Sequence, residues 1–229
     1  MFLELPNIKT FLILAPHPDD ESLSCSGTAL LLTEKGVSAT VVFITNGERL
    51  YGAPSETIAK KRTIEANRAA NLMGCSKNMF LNIPDGEIDR NFGMTCQKIS
   101  NILNEVKPEM VFSPSPLDYH QDHTATARVS LELHREFKSF KLSFYEVYSS
   151  IRFTHLINIS RVIERKKELI LNYHTSLYEK PEIYVDAILG LNAHKAIFTQ
   201  KKGYFEAFFI LDNPIGDSEL FDLLTYKRA

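Results

Sequence analysis

Thr10-Phe11-Leu12-Ile13-Leu14-Ala15-Pro16-His17-Pro18-Asp19-Asp20-Glu21 is the stretch that decides how this chain folds. Phe11 to Ala15 is a short, unbroken apolar run, the pattern of a strand buried on both faces. The run breaks at Pro16 and Pro18, and a histidine and two carboxylates (His17, Asp19, Asp20) follow at once. Ionisable groups packed that closely beside a buried strand need a counter-charge, and a divalent cation is the usual one. A second cluster, His120-Gln121-Asp122-His123, has the same character. Together the two predict one metal site.

Outward from that stretch, short β-rich runs alternate with longer helical ones, which predicts an α/β fold on a mostly parallel sheet. Strands are expected at Thr10 to Ala15, Thr40 to Thr45, Met79 to Leu81, Glu109 to Phe112, Leu142 to Tyr148 and Phe205 to Leu211. Helices are expected over Glu21 to Lys35, Ser55 to Met73, Phe92 to Val106, His123 to Phe137, Arg161 to Leu171 and Pro181 to Leu191. Gly36 and Gly74 read as C-terminal stops and Ser55 as an N-cap. The unusual polar clusters all follow strands: His17 to Glu21, Asn46-Gly47-Glu48, Pro84-Asp85-Gly86, and His120 to His123. Ligand sites of open parallel sheets collect outside the carboxyl ends of the strands, so four clusters at that edge define one crevice. Ser113-Pro114-Ser115-Pro116 is stiff and suits a segment that delivers side chains to a fixed place.

Length and composition bound the rest. The 229 residues predict a single domain over 1–229, with no internal repeat or linker. A balance of 26 basic against 28 acidic residues argues against a dominant nucleic-acid or anionic-membrane surface. The locally basic Arg161 to Glu168 has interspersed acids and reads as a solvated helix face. Cys25, Cys75 and Cys96 are odd in number and widely spaced, which fits a reducing compartment rather than a disulfide framework. The start lacks the basic and long apolar regions of a signal peptide, and no stretch approaches the ~18 to 20 apolar residues of a membrane span. A cytoplasmic location is the expectation.

Within the crevice the residues divide into roles. His17 and Asp20, three apart at a helix start, can converge on one point, and His123 can add a third ligand from the later loop. Two imidazoles and a carboxylate suit Zn²⁺ with an open position for water, with Fe²⁺ or Mn²⁺ as further fits. Asp19 is left beside the metal as a general base. His120 faces it, with Asp122 placed to hold the imidazole, raise its pKa and keep it protonated as an acid or oxyanion donor. Asp85, in a Pro-Asp-Gly turn, and Arg62, in the helix after the second strand, are expected to reach the same crevice as substrate-binding residues. The plainer alternatives are a turn residue for Asp85 and a pair with Glu65 for Arg62. For the first motif, the plain alternative is helix capping by His17 with Asp19 and Asp20 at a positive helix end. His134, His155 and His194 read as surface or core residues, no nucleophile-elbow pattern surrounds Ser22, Ser24 and Ser26, and Gly27 reads as a helix-packing glycine.

These residues resemble the PIG-L/LmbE family of metal-dependent de-N-acetylases, whose hallmark is a strand followed by (A/P)HPDDE and, about a hundred residues later, HxDH. Ala15 to Glu21 and His120 to His123 carry the two motifs. Weaker similarities lie at Gly27-Thr28, Thr45-Asn46-Gly47-Glu48, Arg62-Thr63-Ile64-Glu65, Leu72-Met73-Gly74, Pro84-Asp85-Gly86, Tyr173-His174-Thr175-Ser176 and Glu206-Ala207-Phe208. The resemblance implies a Rossmann-like three-layer domain, removal of acetyl groups from N-acetylated amino sugars, and a homo-oligomer, since members often form rings. It also implies metal ligands at His17, Asp20 and His123, a base at Asp19, an acid at His120 and its orienting partner at Asp122. Gln121 replaces the commoner proline of the second motif, and Leu177 stands where many members have glutamine.

The expected activity is thus zinc-dependent hydrolysis of an N-acetyl group on a small sugar substrate, releasing acetate and a free amine, with Asp85 expected to accept hydrogen bonds from sugar hydroxyls and Arg62 to contact a polar or anionic aglycone. Two rivals remain at this point: a metal-dependent phosphoesterase, which would need more bridging carboxylates, and a catalytically silent metal- or sugar-binding module. The loops Leu50 to Ser55, Asp85 to Asn91 and Phe153 to Ser160 are expected to shape substrate choice.

Overall fold

The computed structural model describes residues 4–225. Strand β1 (Thr10–Ala15) runs parallel to β2 (Ser38–Phe43) on one side and to β4 (Met110–Pro114) on the other. Parallel pairing continues outward to β3 (Lys77–Phe80) beyond β2 and to β5 (Lys141–Tyr145) beyond β4. Past β5 the sheet turns antiparallel, through β7 (Phe205–Leu211) to the edge strand β6 (His155–Asn158). The strand order is therefore β3-β2-β1-β4-β5-β7-β6.

Helices bury both faces, which is why β1 reads as a continuous apolar run rather than an alternating one. Phe11, Ile13 and Ala15 point to the face covered by α1 (Asp20–Ser24), α2 (Ser26–Thr33), α3 (Glu56–Leu72), α6 (Ile163–Leu171) and α7 (Pro181–His194). Leu12 and Leu14 point to the other, covered by α4 (Phe92–Val106), α5 (Gln121–Phe137) and α9 (Asp217–Thr225). A short α8 (Ala196–Thr199) follows α7. The chain runs outward from β1 to β3, then returns to place β4 on the opposite side of β1. That switch point lies between the strands that feed the two histidine motifs, where doubly wound sheets open a crevice.

Several expected boundaries move. The expected first helix is two, broken at Cys25 (φ −117°, ψ 12°). The break frees the Gly27 and Thr28 N–H groups, which donate to the buried Glu206 carboxylate at 2.8 and 2.7 Å. A Cβ on Gly27 would meet Ile159 Cγ2 at 2.8 Å and Glu206 Oε1 at 2.9 Å, so only glycine allows that approach. Strand β2 starts two residues before the expected Thr40 and ends at Phe43. Strand β5 ends at Tyr145, so Glu146, Val147 and Tyr148 leave the sheet. His155, read as a surface or core residue, lies on the edge strand β6, so the middle of the segment Phe153 to Ser160, expected as a substrate loop, is strand. Four-residue antiparallel edge strands carry too short a pattern to read. Ser55 does cap α3, accepting from Ile58 N–H.

Candidate metal centre

Both histidine motifs are fixed by the ends of β1 and β4, and the two loops meet across the switch point. The Asp20 carboxylate lies between two imidazoles, its Oδ2 3.2 Å from His17 Nδ1 and its Oδ1 3.2 Å from His123 Nε2. All three residues are buried. Their outer ring nitrogens are held from behind by carboxylates. His17 Nε2 is 3.1 Å from Asp85 Oδ1 and 3.2 Å from Asp122 Oδ2, while His123 Nδ1 is 3.4 Å from Asp118 Oδ2. A carboxylate behind a histidine fixes the tautomer that presents the other nitrogen to a metal.

The donor atoms themselves test the fit of a cation. Among the described residues, Asp20 Oδ1 and His123 Nε2 are buried with only each other within reach, at 3.2 Å and outside hydrogen-bond geometry, an arrangement that a bound ion between the loops would relieve. Burial opposes charge on both histidines, yet the surrounding carboxylates win: Asp122, Asp20 and Asp85 raise His17 well above its usual value, and Asp20 and Asp118 raise His123 to about 9. Burial likewise opposes charge on Asp20, but His123 and His17 hold it far below the carboxylate range. A nest that draws protons onto two imidazoles is one that attracts a cation. His17, His120 and His123 also bring nitrogens within 4.8 Å of one another, as do His17, Asp85 and Asp122 their ligand atoms. The second trio reads as support for His17, because Asp122 Oδ2 already accepts Gly86 N–H at 2.8 Å and Asp85 Oδ2 accepts Arg49 N–H at 2.9 Å.

Asp19 sits next to this cluster in a strained conformation, φ 138° and ψ −31°, a region that favours glycine and costs about 1 to 3 kcal/mol for other residues. Arg62 holds it there. The guanidinium donates to Asp19 Oδ2 at 3.2 Å, to the Pro18 and Gly47 carbonyls at 2.9 and 3.0 Å, and to Ser176 Oγ at 2.9 Å. Arg62 therefore lines the cavity while four of its five N–H groups clamp three loops, which leaves one for the expected contact with an aglycone. It does not pair with Glu65, whose carboxylate accepts from the Thr175 and Ser176 N–H groups. Burial raises the Asp19 carboxyl well above its ordinary range, with Arg62 opposing. Glu21 lies behind, accepting from Tyr173 Oη at 2.7 Å, and burial pushes it to about 7.

The expected pairing of His120 with the Asp122 carboxylate is not formed. Instead the Asp122 backbone N–H donates to His120 Nδ1 at 3.2 Å, because His120 is the N-cap of α5. The Asp122 carboxylate turns to the Gly86 and Ile88 N–H groups and to His17. With Nδ1 accepting, the proton of a neutral ring sits on Nε2. Burial and then the neighbouring His17 and His123 lower its pKa, the reverse of the shift expected. Asp118, absent from the expected site residues, ties the loop together: its Oδ1 accepts the His120 N–H at 3.0 Å while its Oδ2 faces His123. Its only sequence signal is a carboxylate two residues before the second motif. Asp85 is more than a turn residue, since burial is outweighed by His17 and its carboxyl falls to about 2.

A cavity of about 380 Å³ opens over the centre, lined by His17, Asp19, His120 and His123 and by Arg62 and Asp85. Every residue expected to act at the site faces or adjoins it, except Asp20 and Asp122, which lie beneath.

A family model described as GlcNAc-PI de-N-acetylase (PIG-L) matches residues 12–134. The probable N-acetyl-alpha-D-glucosaminyl L-malate deacetylase 2 of Bacillus anthracis is 32% identical over 136 residues, 56% of this chain and 60% of that protein. The diacetylchitobiose deacetylase of Thermococcus kodakarensis is 28% identical over 132 residues, 55% of this chain and 49% of that one. The chain thus matches between half and three-fifths of these relatives' lengths. Among solved structures, a conserved protein of Thermus thermophilus superposes with a TM-score of 0.75 at 26% identity, over 90% of this chain and 96% of that one. The N,N'-diacetylchitobiose deacetylase of Pyrococcus horikoshii superposes at 0.74 and 23% identity, over 93% and 89%, a likeness of fold. The family match covers more than half of the 229 residues and takes in both histidine loops, and on that ground the chain belongs to the PIG-L family.

Proposed function

We propose that this protein is a metal-dependent de-N-acetylase of N-acetylglucosamine-type sugars, hydrolysing the acetamide to acetate and a free amine. The observation that carries the reading is one buried cluster, His17, Asp20 and His123, with Asp19 and His120 beside it under a single cavity. Relatives named as deacetylases of N-acetylglucosaminyl and diacetylchitobiose substrates support it.

His17, Asp20 and His123 are the proposed ligands, and their mixed nitrogen and oxygen set favours zinc. A divalent cation there supplies Lewis acidity toward the acetyl carbonyl and toward water. Asp19 takes the proton of the attacking water; its raised proton affinity suits a base that must later act as an acid. Arg62 keeps that carboxylate in place. His120, neutral with its proton on Nε2, donates a hydrogen bond to the oxygen that becomes negative as the carbonyl is attacked. Asp19 then returns its proton to the departing amine, so no protonated imidazole is required.

Acetate release by zinc-loaded protein from a panel of N-acetylated amino sugars tests the reading, with Asp19→Asn as the control. Release that depends on both metal and Asp19 is expected. Hydrolysis of phosphoesters in place of acetamides, or sugar binding without acetate, would overturn it.

A further inference from the structure

One wall of the cavity is aromatic, and the proposed hydrolysis makes no use of it. Tyr148, three residues past the end of β5, lies against His123 with ring centroids 5.6 Å apart and 19° between planes. Tyr119 stands beside Tyr148, 5.6 Å away. Tyr178 and Tyr184 line the same cavity, and Tyr51 packs edge-on against Tyr178 at 5.6 Å. These rings are open to water: Tyr119 is 74% exposed and Tyr148 40%. Clustered apolar surface rimmed by polar groups marks a place where something binds.

The opposite flank is polar but largely self-neutralised. A depression of about 530 Å³ adjoins the cavity and shares Arg49, Asp85, Gly86 and Gln121 with it, so the cleft extends beyond one ring. Arg49 pairs with Glu87 and Arg128 with Asp89, while Asp85 and Asp122 add further negative charge. Among the described residues lining it, Arg90 is the remaining cation, too little to build an anion site from.

We propose that Tyr119 and Tyr148 form a subsite for a second sugar ring, so that the substrate is an N-acetylated oligosaccharide rather than a single amino sugar or one bearing an anionic group. This rests on the deacetylase reading above. A pyranose presents an apolar face of C–H bonds and a rim of hydroxyls. Tyrosine matches both, with a flat ring and a phenolic hydroxyl that donates and accepts. The continuous aromatic line from His123 through Tyr148 to Tyr119 places the second ring next to the one whose acetamide reacts. Gln121, at the seam of the two depressions, donates to the Gly86 carbonyl at 3.3 Å and keeps that seam in register.

The chain holds nine tyrosines and no tryptophan, and Tyr51, Tyr119, Tyr148, Tyr178 and Tyr184 belong to this wall, so a ligand-induced change in tyrosine emission that Tyr119→Ala removes reports on it. Binding is measured on zinc-loaded Asp19→Asn protein with N-acetylglucosamine, N,N'-diacetylchitobiose and an N-acetylglucosaminyl dicarboxylate. The disaccharide is expected to bind about tenfold more tightly than the monosaccharide and to shift tyrosine emission. Tyr119→Ala should abolish that advantage, while Tyr119→Trp should keep it. The highly exposed Tyr119 supports no core, so the variant tests binding rather than folding. Parallel kcat/KM values on the otherwise native enzyme should show the same collapse of the disaccharide-to-monosaccharide ratio. Equal affinity for one and two rings, an advantage that survives Tyr119→Ala, or a preference for the dicarboxylate would overturn the subsite. Tyr119-dependent disaccharide binding with no acetate released from any sugar would leave the subsite standing and remove the deacetylase reading instead.

Discussion

Buried charge is handled in two different ways on the two sides of this sheet. On the parallel side, at the ends of β1 and β4, the carboxylates of Asp20, Asp85, Asp118 and Asp122 face imidazoles. On the antiparallel side, Glu206 meets Lys166 at 2.6 Å and Glu146 meets Lys195 at 2.7 Å, all four residues buried. The lysine pairs are closed by a permanent cation: Lys166 also donates to the Ser24 carbonyl and Lys195 to Ser150 Oγ, although Glu146 keeps a partnerless Oε2. The histidine cluster is open in that sense: among the described residues no lysine or arginine meets His17, Asp20 or His123, and Asp20 Oδ1 and His123 Nε2 have only each other. Charge neutralised by lysine is structural, whereas charge left to histidine awaits a proton or a metal. That contrast separates scaffold from site without reference to any motif.

The largest break between the two sides should come from removing a ligand. His123→Ala is expected to strip most of the metal from the purified protein and with it the activity, while leaving the fold in place. Elemental analysis beside circular dichroism checks this, and full metal occupancy in the variant would mean that the two loops do not share an ion. Next in size, Asp19→Asn should keep the metal but lose on the order of 10²- to 10⁴-fold in kcat, because the amide cannot take a proton. Near-normal turnover would move the base elsewhere.

On the closed side the expectation inverts. Lys166→Met leaves Glu206 buried without its cation and should cost roughly 3 to 5 kcal/mol of stability, with metal content unchanged in the folded fraction. Denaturant titration measures it. A metal loss as large as that of His123→Ala would show that the two networks are one. A smaller effect belongs to the carboxylates behind the ligands. Asp118→Asn, which loosens both His120 and His123, should weaken metal affinity about 10- to 100-fold, and competition with a chelator of known affinity reads that directly. Unchanged affinity would leave Asp118 as a loop tie alone.

The same division explains what the sequence reveals. Phe11 to Glu21 and His120 to His123 are legible because strand, break and ligands lie in consecutive residues. The parallel sheet follows from runs long enough to show their period. Arg62's clamp on Asp19 is not legible, since its partners Pro18, Gly47 and Ser176 come from three loops that meet only in the fold. His120 misleads for a related reason: its position in a motif suggests a carboxylate partner, whereas helix geometry hands its Nδ1 a backbone N–H. Strand β6 and the break at Cys25 depend on β7, through backbone pairing and through Glu206. Contacts of that range leave no local pattern.

The gentlest way to sharpen the comparison is pH. In the metal-free protein His123 titrates at about 9, above the 6.5 of an unfolded histidine, because Asp20 and Asp118 outweigh its burial. A raised histidine pKa contributes stability that is complete below pH 6.5 and is lost as pH climbs through 9. His17 shifts in the same direction, whereas Asp20, held ionised far below the carboxylate range, contributes a constant amount across that window. Metal-free protein should therefore lose stability from pH 6.5 to 9, with His123 alone giving a slope of up to about 1.4 kcal/mol per pH unit. The metal-loaded protein should do the opposite. Its ligands must shed those protons, so metal affinity and the stability it confers rise with pH over the same range. Two denaturation series, with and without chelator, should converge at low pH and diverge at high pH. His123→Gln should remove its share of the slope from the metal-free series, leaving that of His17, and should flatten the metal-loaded one. Parallel series would mean that the cation binds away from the histidine cluster, and the open charge at β1 and β4 would then need another partner.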